Sequence, residues 1–490
     1  MTSRRGFILE GAAAWAALLS GHAFAVVPGA LDGGGLRLRV GVLSDIHISR
    51  FDPDAADEIG APNAKTFIRA LRWFDEKKVD AVIISGDLTN HAFEEEFMAV
   101  GDAWRMVFPG DRAKDGRKVA KFFICGNHDW EGWKYSKFGV KRHPDEAELR
   151  KHIFTYNCAA FWSKAFDEPY VKYPHIEVKG YQFVGAHWPY HKQQGVKKAI
   201  AACAKRADGK PFFYLQHPHV AGTVFSDSGA SDAASESATA LNRHPNAVAV
   251  TGHSHRSLTD ERSIWQGTYT ALNAACLRYI SPPSGRENSG PKRNSGYKAM
   301  PNYKVFDCRQ GMLMDVYDDR IVFARRDFIS GLPLGPDWVV PLSAERPMAY
   351  KTRAAASKAP VFPDGAKVSV GTPAPGKTRD GASVEQVTLE FPQAEGSGSG
   401  HDRVYDYRVE MKISCSDLRD ETYLVRRFMA DGFCRPESLV PKTMRCVLNV
   451  TEIPKEMNLS FEVRAANSFG VLSAPIVSGP VKFKGVVIKW

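Results

Sequence analysis

VGVLSDIH, residues 40–47, is a short apolar run that stops on an aspartate and a histidine. The pattern recurs along the chain. AVIISGDLTN (81–90) ends on Asp87, and FFICGNHD (122–129) on Asn127, His128 and Asp129. FFYLQHPH (212–219) ends on His217 and His219, and VAVTGHSH (248–255) on His253 and His255. Runs this rich in Val, Ile and Phe read as buried strands. Five of them therefore deliver carboxylate, amide or imidazole groups at their C-terminal ends, where open α/β sheets place their sites.

Between the first two runs, NAKTFIRALRWFDEKK (63–78) sets Phe67, Leu71 and Phe74 at helical spacing, with Asn63 as a candidate N-cap. YQFVGAH (181–187) adds another strand, and DERSIWQGTYTALNAACLRYI (260–280) is expected to continue the sheet beyond the site. The alternation of strand and helix predicts an α/β layered fold with largely parallel pairing over residues 36–345.

The run-ending residues are O and N donors without thiolates, which favours Mn, Fe, Zn, Co or Ni over a soft metal. They number more than one tetrahedral ion needs, so two divalent ions fit better. Gly86, Gly126 and Gly252 each precede one of these donors, sparing a Cβ where backbone crowds a small ion.

The ordered set D-x-H, G-D, G-N-H-D, a later His and G-H-x-H resembles the calcineurin-like metallophosphoesterase superfamily over roughly residues 38–256. The resemblance implies a layered sandwich of mixed sheets flanked by helices. It further implies that Asp45, His47 and His255 hold one ion, that Asn127, His217 and His253 hold the other, and that Asp87 bridges them. The family's fourth motif is often His-x-Pro, whereas here Gln216 stands two residues before Pro218. Imidazole is a better donor than a neutral amide, so His217 is the expected ligand, with His219 as the alternate or as a residue lining the substrate pocket. His128 falls on the substrate side as charge stabiliser or general acid, with Asp129 behind it orienting the ring. The implied reaction is hydrolysis of a phosphate monoester or diester by a hydroxide bridging two ions about 3.5–4 Å apart.

Purple acid phosphatases carry a tyrosine three residues after the bridging aspartate, where this chain has Asn90. GDLTN and GNHD look more like the branch that holds bacterial cyclic-nucleotide and glycerol-phosphodiester hydrolases, a branch that also contains monoesterases. Pocket candidates come from the segment after His128, with Trp130, Trp133, Lys134 and Tyr135, and from HWPYH (187–191). Trp130 and Lys134 are the expected substrate contacts, an aromatic face for a base or sugar and a charge for phosphate.

Residues 1–25, MTSRRGFILEGAAAWAALLSGHAFA, have a basic start, a short apolar middle broken by Glu10 and the small-x-small ending Ala23-Phe24-Ala25. This is the pattern of a cleaved signal peptide, and SRRGFI resembles the twin-arginine export signal, with Ile8 and Leu9 at the positions of its Leu and Lys. The expectation is export to the periplasm or beyond, with no transmembrane segment.

Residues 346–375 are rich in Ala, Pro and Lys and read as a linker. From 376 to 490 the texture changes to short alternating strands, SVEQVTLEF (383–391), DYRVEMKIS (406–414), MRCVLNV (444–450) and LSFEVRAANSFGVLSAPI (459–476), which predicts an all-β sandwich. The last of them resembles a fibronectin type III or related immunoglobulin-like domain through Phe461, Val463, Ala465, Asn467 and Gly470, with Leu459 at the place of the corner tyrosine. Such a module suggests contact with an envelope polymer or glycan.

The chain has 65 Lys and Arg against 55 Asp and Glu, a formal charge of +10. A basic surface attracts phosphate-bearing substrates, small or polymer-linked. No stretch interleaves aromatics with Arg and Lys as a nucleic-acid groove would, so stable nucleic-acid binding is not expected. The eight cysteines form no C-x-x-C and divide five before residue 350 and three after, so bridges kept within domains would leave one unpaired in each. Cys125 reads as a small core residue. Two other functions stand beside the hydrolase: an exported binding or adhesion protein with a vestigial phosphoesterase fold, and an exported nuclease.

Overall fold

The computed structural model describes residues 35–49, 62–135, 157–225, 235–281, 305–378, 381–396, 402–414 and 421–484. The expected signal peptide and Cys415 lie outside the described residues.

The apolar runs form two six-stranded mixed sheets. In the first, β1 (Leu38–Leu43), β2 (Ala81–Ile84) and β3 (Ala120–Phe123) run parallel. The sheet is completed on the far side of β1 by the antiparallel β10 (Gln310–Val316), β11 (Arg320–Asp327) and β12 (Trp338–Pro341). In the second, β5 (Tyr181–Ala186), β6 (Phe212–Gln216), β7 (Ala247–Thr251) and β9 (Thr270–Asn273) are parallel, edged by β4 (His175–Val178) and β8 (Ile264–Gln266). The 260–280 segment thus continues the second sheet.

Why the parallel strands lack alternation is plain from burial: both faces are covered. One apolar core lies between the sheets, where Val40, Ile83 and Phe122 meet Phe183, Phe213 and Val250. On the outer face of the first sheet, α1 (Pro62–Glu76) and α2 (Glu94–Val107) pack with the helix Cys158–Phe166. On the outer face of the second, the helices Gly195–Ala207 and Ser235–Leu241 do the same. Helix α1 buries Phe67, Leu71 and Phe74, the residues whose spacing predicts it. It begins at Pro62, so Asn63 lies in its first turn and not ahead of it.

The C-terminal region is all-β. One sheet orders β13 (Ser369–Val370), β15 (Ser383–Pro392) and β14 (Ala374–Lys377), with β18 (Thr443–Asn449) also on β15. The other orders β17 (Glu421–Met429), β16 (Val404–Ser414), β19 (Asn458–Asn467) and β20 (Ile476–Val477).

The stretch expected as a linker carries structure of its own. Helix Tyr350–Ala356 holds Arg353, which is buried and lies 3.3 Å from Glu261 Oε2, while Met348 N donates to Gln266 Oε1 at 3.1 Å. Glu261 also takes Arg325 Nη1 at 2.8 Å and Trp338 Nε1 at 3.0 Å. Gln310 on β10 ties three segments together: its Oε1 accepts from Leu258 N at 2.7 Å and Ser257 Oγ at 3.1 Å, and its Nε2 donates to the Cys434 carbonyl at 2.7 Å. The core between the two mixed sheets continues without a break through Phe362 and Val368 to Tyr407 and Phe461.

The seven described cysteines are buried free thiols, Cys125 among them. Among the described residues, no helix is long and apolar enough to cross a membrane.

Candidate metal centre

The C-terminal ends of the parallel strands in both sheets bring their polar residues to one place. Asp45 and His47 follow β1, Asp87 follows β2, and Asn127 opens the helix α3 (Asn127–Glu131) after β3. His217 directly follows β6, and His253 and His255 follow β7. All but His253 are buried.

Their donor atoms fall into two groups that share Asp87: Asp45, His47, Asp87 and His255, and Asp87, His217 and His253. In the first, Asp45 Oδ1 is 2.9 Å from His255 Nε2 and 3.6 Å from His47 Nε2. The two Nε2 atoms face each other at 3.1 Å. In the second, Asp87 Oδ2 is 2.9 Å from His217 Nε2, and His253 Nδ1 lies 3.3 Å from the same nitrogen. Nitrogen and carboxylate lone pairs aimed at a common point repel unless protons or a cation stand between them, so this donor set fits bound divalent ions.

Three further features match that fit. Asn127 Oδ1 is buried and accepts no hydrogen bond among the described residues, an acceptor left over for a ligand. A Cβ on Gly126 would stand 2.2 Å from Asp87 Oδ1, and one on Gly252 2.4 Å from Asp45 Oδ2, so the donors occupy space that only glycine leaves open. Asp45, His47, Asp87, His253 and His255 all adopt left-handed backbone, with φ between 49° and 69°. Each costs on the order of 1 kcal/mol, and such strain gathers at functional sites.

The surroundings aim each donor. Asp45 spends Oδ2 on Ser44 Oγ at 2.6 Å and His253 N at 2.9 Å, and Asp87 spends Oδ1 on His128 N at 2.8 Å, so each keeps one oxygen for the cluster. His217 Nδ1 donates to the Ser85 carbonyl at 2.8 Å, which leaves Nε2 unprotonated toward Asp87 when the ring is neutral. Without cations, protons stand in for them. Burial works against charge on His217, but Asp87 and Asp45 raise it to about 9. Burial, with the neighbouring imidazoles adding to it, brings His47 down to about 3 and His253 to about 4. Burial would raise Asp45, yet the attraction of His255 and His217 holds it well below the usual carboxylate range.

His128 sits beside the cluster, its ring edge-on to His47 with centroids 4.5 Å apart. Its Nδ1 donates to the Asn90 carbonyl at 2.7 Å. Asn90 is thus the group that orients the ring, where the sequence reading places Asp129. Asp129 instead accepts from Leu88 N at 3.1 Å, Thr89 N at 2.7 Å and Gly126 N at 2.8 Å, which clasps the loop after β2 to the loop after β3. An acidic side chain at the third position of a helix turns back to backbone amides more readily than to a neighbouring ring. Burial and the charge of Asp87 push it up to about 7.

The three expected substrate contacts are engaged elsewhere. His219 is buried with Nδ1 2.8 Å from Thr251 Oγ1 and Nε2 2.7 Å from Ser254 Oγ, so both ring nitrogens serve to hold the loop after β7. Trp130 packs on Tyr170 and Tyr190, and Lys134 pairs with Glu131. The residue of this segment that does touch the site is Tyr135, stacked on His128 at 4.4 Å. Tyr135 is among the pocket candidates read from the sequence, whereas Cys276, whose Sγ donates to the Asp45 carbonyl at 3.1 Å, and Arg278, which donates to Asn90 Oδ1, are not. The signal for Tyr135 is its place in the aromatic segment that follows His128; Cys276 and Arg278 have no local signal.

Residues 38–257 match the model of the calcineurin-like phosphoesterase family. Among solved structures, a dimetal phosphatase from Danio rerio is 12% identical, with 63% of this chain and 100% of that chain covered at a TM-score of 0.35. A purple acid phosphatase from yellow lupin, Lupinus luteus, is 13% identical, with 65% of this chain and 56% of that chain covered at a TM-score of 0.40. No curated protein matches the chain. Two mixed sheets under helices, a buried Asp and His cluster at their strand ends and the family match agree: residues 38–257 form a calcineurin-like metallophosphoesterase domain.

Proposed function

We propose that the chain is an exported phosphoric ester hydrolase working with two divalent ions. Asp45, His47 and His255 would hold one, Asn127, His217 and His253 the other, and Asp87 both. The observation that carries this reading is the pair of donor groups sharing Asp87. The basic start with Arg4 and Arg5 supports export. The substrate is a phosphate monoester or diester, free or polymer-linked.

Bound ions supply positive charge for the phosphoryl oxygens and a nucleophile at neutral pH. The chain's own residues do the rest. Because His128 Nδ1 is committed to the Asn90 carbonyl, Nε2 is the nitrogen that hands a proton to the leaving oxygen. The Asp87 carboxylate accepting from His128 N fixes the distance between that acid and the cluster. Asp129, clasping both loops, holds them at this spacing.

The test is hydrolysis of 4-nitrophenyl phosphate and bis(4-nitrophenyl) phosphate with Mn²⁺ and with a chelator. Turnover is expected to vanish with the chelator and in Asp87→Asn, which also loses metal. In His128→Ala metal is retained while rate on a poorly activated ester falls about 10²–10⁴-fold. Undiminished turnover in the chelator overturns the reading.

A further inference from the structure

His128 has one nitrogen to offer a reacting ester, so whatever covers its ring governs what can hang from the leaving oxygen. One side of the ring meets His47 edge-on, with planes at 81°. Tyr135 lies along one face, nearly parallel at 21° with centroids 4.4 Å apart. Tyr135 is the last residue of a 3-10 turn, Gly132–Tyr135, that continues α3. Gly132 brings that turn against the loop after β2: a Cβ there would meet the Asn90 carbonyl oxygen at 2.8 Å and His91 Cα at 2.9 Å. The close approach is what sets Tyr135 over His128.

The neighbours in this turn are directed elsewhere. Trp130 is packed on Tyr170 and Tyr190, and the Lys134 ammonium pairs with Glu131 and lies 5.7 Å from the Trp133 ring. Tyr135 alone of these four stacks on His128, yet it remains 56% exposed. An aromatic ring with one face on the proton donor and much of its surface in water is a poor core residue and a good platform.

We infer that Tyr135 is a specificity-determining residue: it forms the wall of a leaving-group subsite that favours phosphate esters whose leaving group carries an aromatic ring. The inference rests on the hydrolase reading above. A leaving oxygen in line with His128 Nε2 places its substituent beside the Tyr135 ring, where a flat unsaturated group stacks and a puckered saturated ring does not. Neither the metal donors nor the proton donor makes that distinction.

The experiment compares kcat/KM for benzyl phosphate and cyclohexylmethyl phosphate, as monoesters and as methyl diesters, with Mn²⁺. The two leaving oxygens are of similar acidity, so the ratio reads the ring and not the chemistry of bond cleavage. The protein as it stands is expected to prefer the benzyl ester. Tyr135→Ala is expected to lower the benzyl-to-cyclohexylmethyl ratio about ten-fold, the upper range of one aromatic pair, and Tyr135→Phe to keep it. Tyr135 is exposed enough that neither variant threatens the fold. An equal fall for both esters in Tyr135→Ala would mean that the ring only positions His128, and would overturn the inference, as would no change in either. Turnover of the nitrophenyl esters with no benzyl preference in the parent protein overturns the inference and leaves the hydrolase reading standing. No turnover of any ester fells that reading, and the inference with it.

Discussion

Acid should destabilise this protein through His187. The ring is buried at the end of β5, stacked on Tyr170 at 4.5 Å with Trp162 edge-on at 4.8 Å. Its Nδ1 accepts the Cys125 N–H at 2.8 Å, a bond that requires that nitrogen to be unprotonated. Burial brings its pKa down to about 3 from the ordinary 6.5. Between those values the unfolded chain binds a proton at this side chain and the folded chain does not. Stability is therefore fully present above pH 6.5 and falls as the pH drops toward 3. The slope approaches about 1.4 kcal/mol per pH unit, which gives about 2 kcal/mol lost between pH 7 and pH 5. The check is urea unfolding of the parent and His187→Gln at pH 7, 6 and 5, with chelator in every sample so that metal loss plays no part. Gln keeps an acceptor but cannot titrate, so the parent's advantage over it should shrink by about 2 kcal/mol across that range. Parallel stability curves would refute the reasoning.

Gly126→Ala pushes a methyl group to 2.2 Å from Asp87 Oδ1, and Mn²⁺ affinity by titration calorimetry should fall about 10- to 100-fold; unchanged affinity would show that the loops yield without moving the donors. Glu261→Ala leaves Arg325 and Arg353 buried without their carboxylate, so unfolding free energy should drop by about 3–5 kcal/mol. A loss under about 1 kcal/mol would mean the guanidinium groups find other acceptors. Asp129→Asn should lower the melting temperature, because the carboxylate clasps the loops after β2 and β3; an unchanged melting temperature would contradict this.

Much of the metallophosphoesterase domain was legible because a metal centre writes itself into sequence order. Donors must sit where parallel strands end, so each apolar run and its last polar residue can be read together, as with Val42 to Asp45 and Val250 to His253. What was not legible depends on partners far along the chain. The ring of His128 is oriented by a backbone carbonyl, at Asn90, and carbonyls leave no mark in composition. His219 resembles a ligand by position, yet the hydroxyls of Thr251 and Ser254 claim both its nitrogens. The Ala- and Lys-rich 346–375 stretch reads as a spacer because Arg353 takes its meaning from Glu261, 92 residues earlier.

Gln310 has a consequence for anyone who would cut the molecule in two. Its amide reads the loop three residues past His255 with one end and the Cys434 carbonyl with the other, beside an apolar core shared by the mixed sheets and the β-rich region. A fragment ending near residue 345 would carry the whole donor set but expose the apolar surface that the β-rich half covers, so it should precipitate or melt early. Protease nicks in surface loops would leave the pieces associated, and swapping the β-rich half for that of a distant relative would demand matched changes on both sides of the boundary.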